Sequence, residues 1–427
     1  MKTPLSVLVI FVLIMLLIFW AARTVNWVWL NPKRIERCLR KQGFNGNPYR
    51  LLYGDTKEIG SMIKAANSKP IKLSDDILPR VLPFQLHLIK TYGEKSFYWV
   101  GPVAKVLIMD PELIREILTK NVIFKKPIPN PLAKFLVAGL AGYEDEKWAK
   151  HRKIVTPAFY VEKLKNMLPK MYFCCNEMIR KWETLLAEKS CLELDVQPHF
   201  DDLTSDVISR TTFGNCHAQG RKIFKLQKEQ AELTGQVLKS VYIPGWSFLP
   251  TKRNKRMKKI NNELQALFLD IIMERERVMK LGKDDDDNLL SMLLKSNARE
   301  IQEQGKKHGL STGEVIEECK TFYFAGQEST SNLLVWTMVL LSMHPHWQVH
   351  AREEILRVFG NNKPDYDGLN RLKIFLLNAG NDDFVRSSEV VSTIYNILKD
   401  HLRRNKTRRN EFSSRCIPHV TYNPTAS

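Results

Sequence analysis

Apolar positions form one uninterrupted run at the N-terminus and then many shorter segments with helical spacing. Residues 5–22 contain a single polar residue, Ser6, and a run of this length is about what a helix needs to span a bilayer. Tryptophans, which favour the membrane interface, lie at the end of the run or soon after it. They are Trp20, Trp27 and Trp29. The pattern predicts a membrane anchor at residues 1–22.

Basic residues are concentrated directly after the apolar run. They are Arg23, Lys33, Arg34, Arg37, Arg40 and Lys41, against Lys2 before it. The positive-inside rule therefore places the following domain in the cytosol. Prolines and glycines punctuate this region, so residues 23–50 are predicted to be a basic Pro/Gly linker. The alternative to an anchor is a cleaved signal peptide, although the run is long and no clear small-x-small site precedes the basic residues.

Beyond the linker the pattern predicts a mainly α protein with a small β-sheet. Residues 97–100 and 105–109 have the composition of short strands, and Gly101-Pro102 between them signals a hairpin. Asp110 followed by Pro111 suits the start of a helix. Most of the remaining chain has the apolar spacing of helices.

One predicted helix, residues 312–343, contains an unusual polar stretch. Residues 324–331 read Phe-Ala-Gly-Gln-Glu-Ser-Thr-Ser within an otherwise apolar segment. Glycine inside a helix costs about 1 kcal/mol relative to alanine, hydroxyls compete for backbone hydrogen bonds, and a buried acid needs a partner. Several unfavourable choices together indicate a functional site. We call residues 324–331 the octet.

The ends and one face of this helix are clearly marked. Ser311 and Glu314 have capping-box spacing, and Pro345 prevents continuation. Ala325 and Ser329 lie four apart on one face, where small side chains leave room for something large and flat. The structural alternative is a core helix with a packing glycine and hydroxyls bonded back to the preceding turn.

Charge and cysteine content narrow the function classes. The formal net charge is +19, which suits an anionic membrane surface, an acidic redox partner or nucleic acid. No zinc-finger spacing or other nucleic-acid module is recognisable, so membrane and partner contact are favoured, with a merely solvated surface as an equal alternative. The seven cysteines are odd in number and form no Cys-x-x-Cys pair, which argues against a disulfide framework and fits a reducing compartment.

The octet resembles the oxygen-activating motif of the haem-thiolate monooxygenases, the cytochrome P-450 superfamily, which reads Ala/Gly-Gly-x-Asp/Glu-Thr-Thr/Ser. Carried over by position, the resemblance implies that Ala325 and Gly326 lie over a haem. It implies catalytic roles in proton delivery for Glu328, Ser329 and Thr330. Ser329 stands where the family usually has threonine, so the hydroxyl is kept and the methyl group that fixes its rotamer is lost.

Other blocks resemble the same family in the same order. Trp148-x-x-x-Arg152 matches the pair that holds a haem propionate, and a cation with an indole donor suits a carboxylate. Further similar blocks are residues 206–214, 340–347, 351–357, 39–46 and 49–52. The last two resemble the plant branch that includes secologanin synthase.

This resemblance implies the cofactor, partners and location. It implies a haem-containing monooxygenase that hydroxylates an apolar, terpenoid-like plant metabolite with O₂ and electrons from an NADPH-dependent reductase. The expected location is the endoplasmic reticulum membrane, with a single membrane pass and the main domain in the cytosol.

The resemblance stops near Ile374. Residues 51–374 are therefore interpreted as a partial monooxygenase domain and residues 375–427 as a divergent tail. The family's ligand loop, Phe-x-x-Gly-x-Arg-x-Cys-x-Gly, is not found after Ile374. Around Cys416 the corresponding positions are occupied by other residues, namely Arg409, Phe412, Ser414 and Pro418.

Without that loop no residue is predicted to bind the iron, and the thiolate that favours O–O cleavage is missing. We therefore expect an incomplete cytochrome P-450 fold behind a transmembrane helix, and an inactive chain. The alternative is a truncated, non-catalytic, membrane-tethered helical protein.

Overall fold

The structure, a computed structural model, describes residues 3–372 except 71, 73–74, 121, 128–129, 137, 188–193, 215–216, 242, 244 and 283–287. The predicted tail at 375–427 and Cys416 lie outside these residues. The described part is mainly α-helical with one small sheet, which confirms the predicted fold class. It divides into two compact units, one built from residues before 129 together with 238–243 and the other from the remaining residues.

The first unit begins with a long helical stretch. Helix α1 (Thr3–Val25), a π-helical turn (Asn26–Leu30) and α2 (Asn31–Lys41) follow one another directly. The linker expected at 23–50 is therefore helical up to Lys41, because Pro32 lies in the first turn of α2, where a missing N–H is harmless. Within the described residues this is the one helix long and apolar enough to cross a membrane.

The remaining helices of the first unit are short. They are α3 (Thr56–Asn67), α4 (Leu78–Val81), α5 (Pro83–Tyr92) and α6 (Pro111–Thr119). Helix α5 packs against the sheet. The predicted start of α6 is confirmed, since the Asp110 side chain accepts hydrogen bonds from the backbone N–H groups of Glu112 and Leu113.

The sheet has the order β1-β2-β3, with β1 (Asn45–Gly46) parallel and β3 (Val103–Val106) antiparallel to β2 (Ser96–Val100). The hairpin is confirmed, but its second strand starts two residues earlier than predicted. Gly101 adopts a φ of +59° in a tight turn, so pairing resumes at Val103. Phe97 and Trp99 of β2 are fully buried, and they belong to the same apolar cluster as Leu39 of α2.

The second unit is a bundle of helices. Its shorter helices are α7 (Gly139–Gly142), α8 (Asp145–Val155), α15 (Pro345–Phe359) and α16 (Tyr366–Arg371). Its longer helices are α9 (Val161–Ala187), α10 (Val196–Phe213), α11 (His217–Leu238), α12 (Lys252–Lys280), α13 (Leu289–Gln304) and α14 (Thr312–Met343). Short 3₁₀ turns occur at Ala133–Phe135, Thr156–Phe159 and Trp246–Phe248.

The core of this unit forms around the first half of α14. Val315, Cys319 and Tyr323 of that helix are buried among apolar side chains of neighbouring helices. These neighbours include Phe213, Ile260, Leu264, Phe268, Leu290 and Leu293. The bounds of α14 match the prediction, and so does the capping box, in which the Ser311 side chain accepts from the Glu314 N–H and the Glu314 carboxylate accepts from the Ser311 N–H.

Candidate functional site

The octet lies where α14 changes from buried to open. Tyr323 just before it is fully buried, whereas Ala325, Ser329 and Thr330 are exposed. Glu328 is half-buried, and its Oε1 accepts a hydrogen bond from Asn332 Nδ2 at 3.4 Å. The small-residue face predicted from the sequence is therefore present and accessible.

The Ser329 hydroxyl is bonded within its own helix. Its Oγ donates to the Ala325 carbonyl oxygen at 2.6 Å. A core helix without a functional site is expected to show the same arrangement, because hydroxyls within helices commonly bond back to the preceding turn. Delivery of a proton to a molecule on this face would require the hydroxyl to rotate away from that carbonyl.

Gly326 faces a neighbouring helix. A Cβ atom there would lie 2.7 Å from Ile208 Cδ1 on α10, which is too close for an ordinary contact. Glycine therefore leaves room for the end of the Ile208 side chain against α14. Ala325 consequently presents the open side of the octet.

Two polar clusters fix α14 against α10 at the two ends of the octet. Before it, Tyr323 Oη donates to the Gly220 carbonyl oxygen at 2.7 Å and bonds the Ser205 and Ser209 hydroxyls at 2.9 and 3.1 Å. At its last residue, Ser331 Oγ donates to Asp201 Oδ1 at 2.6 Å. Burial raises the pKa of Tyr323, so the phenol stays protonated and able to donate.

The predicted propionate pair lies on α8. Trp148 is half-buried and Arg152 is exposed, and their spacing of four places them on one face of the helix. The structure thus leaves a guanidinium and an indole available to a carboxylate ligand.

Helix α8 is joined to α14 by a buried pair that the sequence analysis missed. A hydrogen bond of 2.6 Å joins His151 Nδ1 to Glu318 Oε1, and both side chains are fully buried. Gly139 borders the same carboxylate, because a Cβ there would lie 2.9 Å from Glu318 Oε1. Ala325 follows Glu318 by seven residues, about 10 Å along the helix axis, so this pair sets how α8 meets the helix that carries the octet.

A second, partly exposed set of charges supports the same junction. Lys147 Nζ lies 3.3 Å and Lys150 Nζ 3.9 Å from the Glu314 carboxylate. Burial opposes ionisation of Glu314, but hydrogen bonds from the Ser311 N–H and hydroxyl, with the two lysines, outweigh it and lower the pKa of Glu314 to about 2. The capping residue of α14 is therefore also its electrostatic link to α8.

How well the described residues suit a haem depends on whether one of their cysteine thiols could bind the iron. The free cysteines of the described residues are Cys174, Cys175 and Cys319. Burial raises the pKa of all three thiols, that of Cys174 to about 11. Cys319 and Cys174 are packed inside apolar clusters, and Cys175 is half-buried beside Cys174. Cysteines buried in this way are structural and inert. The open face at Ala325 and the pair of Trp148 and exposed Arg152 would suit a haem, whereas these packed thiols would not bind its iron.

Comparison with known proteins identifies the family. The family model "Cytochrome P450" matches residues 82–379. The chain belongs to the cytochrome P450 family. It is 55% identical over 356 residues to cytochrome P450 72A397 of Kalopanax septemlobus, an alignment covering 83% of this chain and 68% of that protein.

Other P450 relatives define the branch. Secologanin synthase 1 of Catharanthus roseus is 51% identical over 362 residues, with 84% of this chain and 69% of the relative covered. The 7-deoxyloganic acid hydroxylase of the same plant is 48% identical over 376 residues, with 87% and 72% covered. The predicted secologanin synthase-like branch of the P450 family is therefore confirmed.

A solved P450 structure has the same fold. The retinoic acid bound cyanobacterial CYP120A1 superimposes with a TM-score of 0.60 at 19% sequence identity, covering 80% of this chain and 68% of that chain. P450 membership implies a haem cofactor, a reductase as electron donor and a small-molecule substrate.

Proposed function

We propose that this P450 chain carries the substrate-side half of a monooxygenase that hydroxylates an apolar, terpenoid-like plant metabolite with O₂ and electrons from an NADPH-dependent reductase. The observation that carries the proposal is the open, small-residue face of α14 at Ala325, in a chain of this family. The names of the relatives support the substrate class, since one is a 7-deoxyloganic acid hydroxylase and another a secologanin synthase.

In this proposal each site residue has a distinct task. Glu328, Ser329 and Thr330 would hold and relay protons beside the cofactor. Ala325 leaves space for the cofactor, and Gly326 leaves room for Ile208 of α10. Trp148 and Arg152 hold a propionate. A haem, when bound, supplies the oxygen chemistry.

We further propose that the 427-residue chain does not perform this reaction by itself. The sequence contains no cysteine in the ligand-loop context of the family, and burial raises the pKa of each described free thiol. The second candidate function is accordingly a non-catalytic, membrane-tethered helical protein, which the long apolar helix of the first unit favours.

Membranes that carry the chain are expected to show no ferrous–CO absorption band of the thiolate type. A chimaera in which the residues after 372 are replaced by the corresponding C-terminal segment of secologanin synthase 1 is expected to show that band. The measurement is a reduced CO difference spectrum normalised to protein amount. Cys416→Ser should leave the spectrum of the unextended chain unchanged. A thiolate band from the unextended chain that disappears in Cys416→Ser would overturn the proposal of inactivity.

Two variants of the chimaera test the assigned roles. Arg152→Ala should lower the haem content per protein, because a propionate loses a charge-assisted hydrogen bond. Ser329→Ala should keep the haem but raise peroxide release, within the roughly 10²- to 10⁴-fold scale of general acid–base contributions. Ser329→Thr is the matched control and should be neutral or lower peroxide release. Unchanged peroxide release in Ser329→Ala would make the octet merely structural.

We propose that α1 anchors the chain in the endoplasmic reticulum membrane with one pass and the main domain in the cytosol. The full chain is expected to remain in the membrane pellet after carbonate extraction, because residues 5–22 present an apolar surface about as long as the bilayer core is thick. Deletion of residues 1–22 should make the protein largely extractable. Extraction of the intact chain, or protection of its main domain from protease in sealed microsomes, would contradict this proposal.

A further inference from the structure

A cluster of imidazoles at the start of α15 has no part in the proposed reaction. His344 caps this helix, and His346 and His350 follow in its first two turns. The ring centres of His346 and His350 are 6.4 Å apart, and those of His344 and His346 are 5.9 Å apart. The cluster therefore brings three nitrogen-bearing rings to one end of one helix.

Two of these rings have the arrangement that helical metal sites use. His346 and His350 are four residues apart, so both lie on the same face of α15, and both are exposed. Histidines at this spacing on a helix bind zinc jointly in known motifs. Each ring nitrogen needs to approach the ion to about 2.0–2.1 Å, which rotation of the two exposed side chains can provide.

Trp347 limits how far the two rings can move. Its ring centre lies 5.7 Å from that of His346 and 5.9 Å from that of His350. Packing of the imidazoles around one indole restricts their rotamers, so less side-chain freedom is lost when they share an ion. Against binding stands the partial positive charge of the helix N-terminus, which is repulsive to a cation.

His344 adds a further observation. Its Nε2 is buried and has no hydrogen-bond partner, which is uncommon for a buried nitrogen. Among the described residues, however, no group of three or more His, Cys, Asp or Glu side chains is arranged to hold a metal. The protein ligands of a metal ion would therefore be the two exposed histidines, His346 and His350, and water molecules would complete its coordination.

We propose that His346 and His350 form a bidentate surface site for a divalent transition-metal ion of the imidazole-binding class, Cu²⁺ or Zn²⁺. Imidazole suits these ions, and Cu²⁺ binds most tightly in the usual affinity order. Mg²⁺ and Ca²⁺ are excluded because they require oxygen ligands. The site is independent of the proposed monooxygenase function, since it uses neither the octet nor the propionate pair.

The test uses the full chain, purified in detergent and titrated with Cu²⁺ while electron paramagnetic resonance is recorded. The expected result is one tight equivalent whose spectrum shows coupling to two nitrogen nuclei, with competition by Zn²⁺. His346→Ala and His350→Ala should each weaken this equivalent at least tenfold. Both residues are exposed, so circular dichroism should show the same helix content in all variants.

Two matched controls separate this site from the other histidines. His308→Ala removes another exposed imidazole and should leave the tight equivalent unchanged. His350→Ala combined with Arg352→His keeps the number of histidines but places the new ring six residues from His346 on a different face, so binding should stay weak. The proposal is overturned if the double variant His346→Ala/His350→Ala binds Cu²⁺ as tightly as the natural chain. It is also overturned if the rearranged pair restores binding.

Discussion

Glu318→Ala is expected to destabilise the second unit by about 1–3 kcal/mol, the usual cost of leaving a buried hydrogen-bonding group without its partner. The substitution leaves His151 Nδ1 buried without its 2.6 Å hydrogen bond and opens space beside Gly139. The measurement is the free energy of unfolding of the detergent-solubilised chain, followed by circular dichroism in urea. Since domains are stable by only about 5–15 kcal/mol, a loss of this size is readily measurable.

An exposed pair of the same length provides the control. Arg299 Nε and Glu303 Oε1 are also 2.6 Å apart, but both side chains face solvent, so Glu303→Ala should change the unfolding free energy little. A double-mutant cycle of His151→Ala and Glu318→Ala should show a strong coupling. Additive effects would mean that the two side chains stabilise the unit separately, and the junction of α8 with α14 would then need another explanation.

Acidification is expected to remove a further stabilising contribution, that of Glu314, of about 1–3 kcal/mol once solvent screening of this partly exposed carboxylate is allowed for. Its folded pKa of about 2 lies below the ordinary value of 4.5, and each unit of difference corresponds to about 1.4 kcal/mol. A carboxyl with a lowered pKa stabilises the fold above its unfolded pKa, and this contribution disappears as pH falls from about 4.5 to about 2. Unfolding free energies measured across this pH range should therefore decrease.

Glu314→Gln is expected to reduce that acid-side decrease while keeping the hydrogen-bonding geometry of a capping box. Glu112→Gln, at an exposed position in the first turn of α6, is the matched control and should leave the decrease as it is. An identical pH dependence in Glu314→Gln and the natural chain would mean that other groups dominate acid unfolding.

The features of this fold that the sequence predicts are those determined by residues close together in the chain. The cap, length and end of α14 follow from Ser311, Glu314 and Pro345, which act within one turn of the chain. The start of α6 at Asp110 is equally local. The composition predicts a start for the strand after Gly101 that is two residues too late. The geometry of the turn, and not the composition of the strand, determines where pairing resumes.

The parts that were missed depend on distant residues. His151 and Glu318 are separated by 167 positions, and neither neighbourhood in sequence shows that the other packs against it. Gly326 was assigned to the cofactor by resemblance, whereas in the fold it also admits Ile208 of α10. The hydroxyl-rich stretch of α10 is the one sequence signal that could have indicated the buried cluster around Tyr323.

The continuous helix at the start of the first unit determines how a bilayer would act on that unit. A span of about 20 residues fills the hydrocarbon layer, and Leu8–Lys41 contains 34. The remaining turns continue as a helix beyond the hydrocarbon layer. Tyr49 connects them to the sheet, because its ring packs against Trp99 of β2 and its Oη donates to the Val28 carbonyl oxygen at 2.6 Å. A change in membrane thickness that tilts this helix would therefore also tilt the sheet, whereas a flexible linker would leave the orientation of the sheet unchanged.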